Sequence, residues 1–383
     1  MLICIMLKCI KEIVVNPFKY GCVVDGEYYC ARPVLSRQLA SFVASGQNVV
    51  IQGERRMGKT SLVKETVGGM RNIRLLYVDL LYIRTVEDLC QRIARAVSQM
   101  DSTRSFLDRT VGLISRLRPT LSFDDRSGAP VLSVDTASAR RPDSVETLLD
   151  MIAEHGRKRK ICVVFDEFQD IQDLDCGNQI LAVMRSRIQF DSRTSHVFLG
   201  SVRNRMSDIF WSPSSPFYHS AAALPVGRID EDDFRAFIEG RFATGRRRLS
   251  DESWRRIVDV ADGTPGYVQE FCEAVWNVTE KGCVIGSEEL GNALELIFSR
   301  ECDHYGLFVR DLTTLQLKVL RALARLGGKG VCSVDFLSRA GVLNAASVKR
   351  ALVRLENAEL VYQFENEYRF LNPFFREWVR RLP

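Results

Sequence analysis

Short apolar runs alternate with amphipathic segments along the first 228 residues. Runs of consecutive apolar residues predict strands that are buried on both faces. The predicted strands are 47–52, 73–80, 161–165 and 196–201. Apolar residues at helical spacing predict helices at 33–46, 60–70, 85–100 and 144–156. This alternation predicts an α/β fold with a mostly parallel sheet that is covered on both faces.

One segment departs from this alternation. Residues 118–136 contain two runs of alternating apolar and polar residues on either side of a Gly-Ala-Pro turn. They predict a β-hairpin inserted in the core. We expect this hairpin to be exposed and to offer a surface to a partner.

The pattern changes at Ile229, after which the apolar spacing is helical. Four amphipathic segments follow with no strand pattern between them, which predicts an all-α lid. They are EDDFRAFIEGRF, SDESWRRIVDVA, PGYVQEFCEAVWNV and SEELGNALELIFSR.

The C-terminal segment combines three helical patterns with two strand patterns. The helices are predicted at 314–327, 334–341 and 344–357, and LVYQFENEYRFLN is typical of two strands around a short turn. This order predicts a winged helix. The expected layout is an entry segment at 1–30, an α/β core at 31–228, a lid at 229–310 and a winged-helix domain at 311–383.

Composition narrows the class of protein. The 383 residues, 46% apolar and 26% charged, suit two or three globular domains. Eleven cysteines form no C-x-x-C pair and only four histidines are present, so we expect reduced thiols rather than a zinc site. The apolar N-terminal run, MLICIMLKCI, is shorter than the roughly 20 residues that span a bilayer. It predicts a first strand or a start-site extension in a cytoplasmic protein without a membrane partner.

A glycine-rich loop follows the strand at 47–52. It matches G-x-x-x-x-G-K-[ST] from Gly53 to Thr60. The two glycines let the backbone curl so that its N–H groups point at phosphates, and the following helix adds its positive dipole end. Lys59 is predicted to reach the β- and γ-phosphates, and Thr60 to ligate magnesium. The other predicted cradle residues are Arg55, Arg56, Met57, Gly58 and Ser61, although the two arginines also suit contact with a neighbouring subunit or domain.

Two carboxylates follow the strand at 161–165. Asp166 is predicted at the carboxyl end of the strand, where α/β folds bind ligands, as a direct or water-mediated magnesium ligand. Glu167 is the natural general base for an attacking water. The strand at 196–201 ends in Ser201, which suits either a hydrogen bond to the γ-phosphate or water, or the N-cap of the next helix.

These segments resemble the archaeal-type P-loop ATPases of the AAA+ superfamily, which are close to the STAND signalling NTPases. The resemblance extends from about Asn16 to the C-terminus, with Arg32 as the arginine before the first helix. It implies that the chain binds ATP and Mg²⁺, and hydrolyses ATP in a slow or regulated way. The segments that carry it are GERRMGKTSL, FDEFQ, FLGS, SPFYHSA, DGTPGYVQEF and RFLNPFFREWVRR.

The resemblance implies two further features of the nucleotide site. The G-x-P motif in DGTPGYVQEF would bring Pro265 near the adenine, whereas a plain turn between helices is the alternative. Relatives often have an arginine after SPFY that senses the γ-phosphate, and this chain has His219 there. The candidates for a replacement are Arg185, Arg187, Arg203, Arg205 and Arg228.

Positive charge is concentrated in the winged-helix segment. The net charge is +5, and residues 313–383 alone carry twelve basic and six acidic side chains. This excess predicts contact with duplex DNA through the third helix. The predicted contacts are Ser347, Lys349, Arg350 and Arg354. A solvated helix face has the same pattern, so two functions stay open: an ATP-driven switch that acts on DNA, or a signalling or defence-type NTPase with slow or no turnover whose winged helix binds a protein, including a second copy.

Overall fold

The computed structural model describes residues 15–200, 204–364 and 366–382. The chain divides into two compact units. One runs from Val23 to Arg228, and the other from Ile229 to the C-terminus together with the segment that precedes Val23. The strand expected in the N-terminal run lies outside the described residues. No helix in the described part of the chain is long and apolar enough to cross a membrane.

A five-stranded sheet forms the centre of the first unit. The strands of this unit are β1 (Val49–Gln52), β2 (Arg74–Asp79), β3 (Thr120–Phe123), β4 (Pro130–Ser133), β5 (Ile161–Asp166), β6 (Thr194–Gly200) and β7 (Ala222–Pro225). The sheet has the spatial order β2-β5-β6-β1-β7, and its pairings are parallel. The predicted α/β class with a mostly parallel sheet is confirmed. Because β6 lies between β1 and β5, the chain leaves these three strands at neighbouring points of one edge.

Helices cover both faces of this sheet. They are α1 (Pro33–Ser45), α2 (Lys59–Gly68), α3 (Val86–Met100), α4 (Arg104–Leu113), α5 (Pro142–Gly156), α6 (Gly177–Ile188) and α7 (Asn204–Phe210). Successive residues of β1 face opposite sides: Val50 belongs to the core under α3 and α5, whereas Val49 and Ile51 pack with α1 and α2. Burial on both sides explains why the strand is apolar along its length. The sequence patterns did not predict α4, α6 or β7.

The hairpin predicted at 118–136 is formed by β3 and β4, which pair antiparallel. The expectation of an exposed insertion is wrong for β4. Leu132 and Val134 are buried in the core, and the side-chain amide of Gln91 on α3 bonds the backbone of Val134 at 2.6 and 3.2 Å. Only the outer strand, with Phe123 exposed, fits the expectation.

Most of the second unit is helical. Its helices are α8 (Glu231–Thr244), α9 (Asp251–Val260), α10 (Pro265–Val278), α11 (Ser287–Arg310), α12 (Thr314–Leu326), α13 (Val334–Ala340), α14 (Ala345–Asn357) and α15 (Pro373–Arg381). The predicted absence of strands from the lid is wrong, because β8 (Arg248–Leu249) and β9 (Val284–Ile285) pair in parallel. Strands of two residues are too short to leave an alternating pattern in a sequence.

The C-terminal part of this unit has the element order of a winged helix. After α12, α13 and α14 come the antiparallel strands β10 (Val361–Phe364) and β11 (Glu367–Phe370). Asn344 caps α14, since its side chain accepts the Ser347 N–H at 2.9 Å. The final helix, α15, was not predicted as a helix, and it buries Phe374 and Phe375.

Candidate nucleotide-binding site

The phosphate loop needs glycine at both ends, for different reasons. A Cβ atom on Gly53 would lie 2.3 Å from the carbonyl oxygen of Val226, so no side chain fits there. Gly58 has a φ of 81° and caps the start of α2, a conformation that favours glycine. Arg56 also has a positive φ, of 63°. The loop backbone is therefore curled, as the motif predicts.

Lys59 points back across this loop. Its Nζ donates to the carbonyl oxygens of Gly53 and Glu54, at 2.8 and 2.9 Å. The side chain is buried, and burial lowers the pKa of the ammonium group although Glu167 and Asp166 act in the opposite direction. No described carboxylate lies within ion-pair distance of Lys59. Its charge is thus held by neutral oxygens, which a phosphate group can replace.

Arg32 and Ser61 support the loop from inside the fold. The Arg32 guanidinium donates to the carbonyl oxygens of Met57 and Gly227, both at 2.7 Å. Burial lowers the pKa of this arginine. The Ser61 hydroxyl accepts the Val24 N–H at 3.1 Å. The side chains of Arg32 and Ser61 therefore hold the loop against neighbouring segments.

The carboxylate of Asp166 lies at the carboxyl end of β5 and receives three donors. Thr60 Oγ1 and Tyr77 OH donate to its Oδ2 at 2.7 and 2.6 Å, and the Glu167 N–H donates to its Oδ1 at 3.0 Å. The two predicted magnesium ligands are thus in direct contact. Magnesium in proteins is held by one or two such oxygens beside substrate phosphates, so this donor set fits the ion.

Glu167 follows in a strained backbone conformation. Its φ of 51° and ψ of 46° lie in the left-handed region, which is costly for a residue with a side chain. Its Oε2 accepts a hydrogen bond from Gln169 Nε2 at 2.6 Å, and the same nitrogen donates to Asp170 Oδ1 at 3.1 Å. Among the described residues, Gln169 Oε1 is buried and has no hydrogen-bond partner. A Cβ atom on Gly200, at the end of β6, would lie 2.5 Å from it.

Tyr77 and Gln169 were not among the predicted site residues. Burial, followed by the neighbouring Asp166 carboxylate, raises the pKa of the Tyr77 phenol. Tyr77 lies opposite Val164 in the β2–β5 register, so its role depends on which strands pair. Gln169 belongs to the FDEFQ segment, close in sequence to Asp166 and Glu167. This closeness was the one signal in the sequence that could have identified Gln169 as a site residue.

Two of the arginines considered for sensing the γ-phosphate form ion pairs with carboxylates. Arg187 pairs with Glu146 and Asp150. Arg205 pairs with Asp173 and lies 3.9 Å from Asp170, the carboxylate that Gln169 contacts. Arg205 is therefore connected through Asp170 to the hydrogen bonds that Gln169 makes with Glu167 and Asp170.

Three further residues were considered in connection with the γ-phosphate, namely His219, Ser201 and Arg203. His219 is exposed and has a φ of 49°. Ser201 and Arg203 lie outside the described residues.

The predicted lid motif belongs to the second unit, where it contacts the segment around α15. Pro265 begins α10 and is buried. Tyr267 OH donates to the carbonyl oxygen of Leu371 at 2.8 Å. Arg376 forms an ion pair with Asp262. The motif is therefore packed against the end of the winged helix.

The predicted DNA-contacting residues lie along α14. Lys349, Arg350 and Arg354 are exposed, and Ser347 is half-buried at the first turn. No described carboxylate forms an ion pair with these three basic side chains. Val353, beside them on the exposed face, is 53% exposed.

Comparisons with known proteins agree with this architecture. Residues 43–203 match the family model described as an AAA domain, and residues 303–381 match a probable winged helix domain. No protein of curated function matches the chain significantly.

Solved structures share the fold over most of the chain. A Walker-type ATPase of Pyrococcus abyssi has a TM-score of 0.62 at 19% identity, covering 92% of this chain and 97% of that one. The Orc1 protein of Aeropyrum pernix, solved in complex with DNA, has a TM-score of 0.50 at 15% identity, covering 92% and 93%. The Orc2 protein of the same organism, in ADPNP–ADP complexes, has a TM-score of 0.51 at 14% identity, covering 90% and 91%.

The family matches, the parallel sheet and the phosphate loop all agree with the sequence resemblance. The chain therefore combines an AAA domain with a phosphate loop, at residues 43–203, and a probable winged helix domain at residues 303–381.

Proposed function

We propose that the chain binds ATP with Mg²⁺ and hydrolyses it to ADP and phosphate. The observation that carries this proposal is the 2.7 Å hydrogen bond between Thr60 Oγ1 and Asp166 Oδ2, directly beside Lys59 and Glu167. Thr60 and Asp166 supply the oxygen ligands for Mg²⁺, which neutralises phosphate charge when bound. Lys59 exchanges its carbonyl partners for phosphate oxygens. The loop N–H groups complete the cradle.

Glu167 is the general base in this proposal. Its carboxylate takes a proton from water while the water oxygen bonds to the γ-phosphorus. The bond between that phosphorus and the β–γ bridging oxygen breaks, and ADP carries the electron pair away. Gln169 holds the carboxylate through the 2.6 Å hydrogen bond, so the orientation of the carboxylate is set before the water attacks the γ-phosphorus.

Two substitutions test binding and turnover separately. Lys59→Ala should abolish binding of a fluorescent ATP analogue, because the buried ammonium is lost. Glu167→Gln should keep that binding and lower phosphate release by about a hundredfold or more. Arg350→Ala, in the other unit, is the matched control and should behave as wild type in both assays. Turnover of Glu167→Gln at the wild-type rate would remove this residue from its role.

We further propose that the ATPase is a switch that acts on duplex DNA through α14. Support comes from the exposed basic side chains Lys349, Arg350 and Arg354, which have no acidic partner among the described residues. The Orc1 protein of Aeropyrum pernix, solved with DNA, has the same fold. Duplex binding should fall linearly with the logarithm of salt concentration. Lys349→Ala with Arg354→Ala should reduce that slope by about 1.8, and a wild-type chain that does not bind duplex at low salt would contradict the proposal.

A second candidate is a signalling or defence-type NTPase, STAND-like, whose winged helix binds a protein. The observation that favours it is apolar exposure beside the basic residues, with Leu343 fully exposed and Val353 53% exposed. An affinity capture with Glu167→Gln and ATP, repeated with Val353→Asp, separates the two. A protein lost only from the Val353→Asp sample supports this candidate, and an unchanged set of captured proteins rejects it.

A further inference from the structure

A second edge of the central sheet lies at the amino ends of its strands, opposite the phosphate loop. The strands are parallel, and the register aligns Arg74 with Ile161 and Ile161 with Thr194. The loops that enter β2, β5 and β6 therefore meet at this edge. Basic residues 157–160 occupy the loop before β5, and residues 189–193 form the loop before β6.

Several positive charges are fixed at this edge without being neutralised. Arg159 donates to the carbonyl oxygen of Arg71 at 2.9 Å, and Lys160 to that of Ala44 at 2.9 Å. Arg193 donates to the carbonyl oxygen of residue 157 at 3.0 Å. No described carboxylate forms an ion pair with Arg159, Lys160, Arg193 or the exposed Lys158. Backbone contacts thus hold the charges in place and leave them able to attract an anion.

An aromatic side chain projects beside these charges. Phe190 is 83% exposed, although a phenylalanine normally buries its ring. It lines an open cavity of about 380 Å³ together with Arg157, Arg193, Ser186 and Ser192. A cavity of this volume is in the range of pockets that bind one small molecule.

Acidic side chains lie in the cavity, at Asp150 and Asp191, and beside it, at Glu154. Asp150 pairs with Arg187 at 3.6 Å, and Glu154 with Arg157 at 2.8 Å. Asp191 accepts the backbone N–H groups of residues 193 and 194, both at 3.1 Å. Arg157 and Arg187 are therefore paired with carboxylates, whereas Lys158 and Arg193 have no ion-pair partner among the described residues.

We propose that this basic edge binds single-stranded nucleic acid. Phosphates lie against Lys158 and Arg193, and one unstacked base stacks on the Phe190 ring. Proteins that bind single strands combine a basic groove with an exposed aromatic platform in this way. A duplex keeps its bases stacked on one another, so a single projecting ring in a small cavity favours a single strand. The proposal is independent of ATP hydrolysis.

Fluorescence anisotropy with a labelled oligothymidine of about 20 nucleotides tests this surface on the full chain. Phe190→Ala should weaken binding by about tenfold, through loss of base stacking. Lys158→Ala with Arg193→Ala should reduce the slope of log affinity against log salt by about 1.4, or about 0.7 for each lost phosphate contact. Thermal unfolding and binding of a fluorescent ATP analogue should stay at wild-type values, since Phe190, Lys158 and Arg193 are exposed.

Two controls separate this edge from the nucleotide site and from the winged helix. Lys59→Ala and Lys349→Ala with Arg350→Ala should both bind the oligothymidine as wild type does. Failure of ATP hydrolysis would leave these results unchanged, so the two proposals fail independently. Unchanged affinity in Phe190→Ala overturns the inference, as does equal competition by a duplex of the same length. Loss of binding only in the Lys349→Ala and Arg350→Ala variant also overturns it.

Discussion

At the residue scale, the amide group of Gln169 contacts two carboxylates at once, with Glu167 at 2.6 Å and Asp170 at 3.1 Å. Gln169→Leu keeps the volume and removes the donor. Because a hydrogen bond to a charged group is worth about 1.5–3 kcal/mol, we expect the rate of phosphate release to fall by at least about tenfold. The affinity for a fluorescent ATP analogue should not change.

The control for this substitution is the double variant in which Gln169→Leu is added to Glu167→Gln. If Gln169 acts by positioning Glu167, adding Gln169→Leu to Glu167→Gln should cost no further activity. A further loss of the same size in the double variant would mean that Gln169 acts through another group, such as Asp170.

Tyr77 supports the proposed magnesium ligand from the neighbouring strand. Tyr77→Phe removes the 2.6 Å hydrogen bond to Asp166 Oδ2 and leaves Thr60 as the remaining side-chain donor. Residues that orient a metal ligand typically change metal affinity by about 10–100-fold when they are replaced. The Mg²⁺ concentration for half-maximal binding of a fluorescent ATP analogue should rise by about tenfold. Binding measured without Mg²⁺ should not change, and a fall there would indicate a general loss of structure.

Local motifs account for what the sequence could predict about the site. Lys59, Thr60 and Asp166 were predictable because each stands at a fixed place in a strand–loop element. Tyr77 was not, because its contact exists only when β2 pairs with β5. The Gln169 hydrogen bond depends on the strained turn at Glu167, which no spacing in the sequence specifies.

At the element scale, α15 joins the winged helix to the lid within the second unit. Arg376 pairs with Asp262 and donates to the carbonyl oxygens of Asp259 and Val260, which end α9. Its side chain is 17% exposed, so these bonds are largely screened from water. Arg376→Ala should lower the free energy of unfolding by about 2 kcal/mol, measured by urea denaturation.

An exposed pair provides the matched control for this arginine. Arg339 and Asp335 form an i, i+4 ion pair on α13 with side chains 62% and 68% exposed. Arg339→Ala should change stability by less than about 0.5 kcal/mol. Equal losses in the two variants would contradict a special role for Arg376.

The length of the amphipathic pattern in an element decided whether the sequence could predict that element. The 15-residue helix α3 has the capping side chain of Thr85 and a clear apolar face. In contrast, α15 has nine residues, and its pattern is dominated by adjacent phenylalanines at 374 and 375 that face different partners. β8 and β9 form only through tertiary pairing and carry no local signal.

At the scale of the whole molecule, buried histidines make stability depend on pH. Burial lowers the pKa of His155 to about 4, and its Nε2 lies 3.0 Å from Thr110 Oγ1. Burial likewise lowers the pKa of His196 to about 4. Below pH 6.5 the unfolded chain takes up protons that the folded chain does not, so stability should fall as the pH drops from 6.5 towards 4.

Urea unfolding at pH 7 and pH 5 tests this dependence. His155→Gln can still hydrogen-bond Thr110 but does not titrate, so its stability should fall less between the two pH values. His304→Gln, at an exposed position on α11, should retain the wild-type dependence. An identical fall in wild type and His155→Gln would show that other groups control the acid sensitivity.

The bidentate contact of Arg32 has a mechanical consequence. One planar guanidinium fixes the spacing between the Met57 carbonyl in the phosphate loop and the Gly227 carbonyl, two residues before Ile229 starts the second unit. When the loop shifts, either the segment after β7 that contains Gly227 moves with it or one of these 2.7 Å bonds breaks. Arg32 therefore couples the phosphate loop to the segment in which the chain leaves the sheet. Through this side chain, strain in the loop at the phosphates is transmitted to that segment.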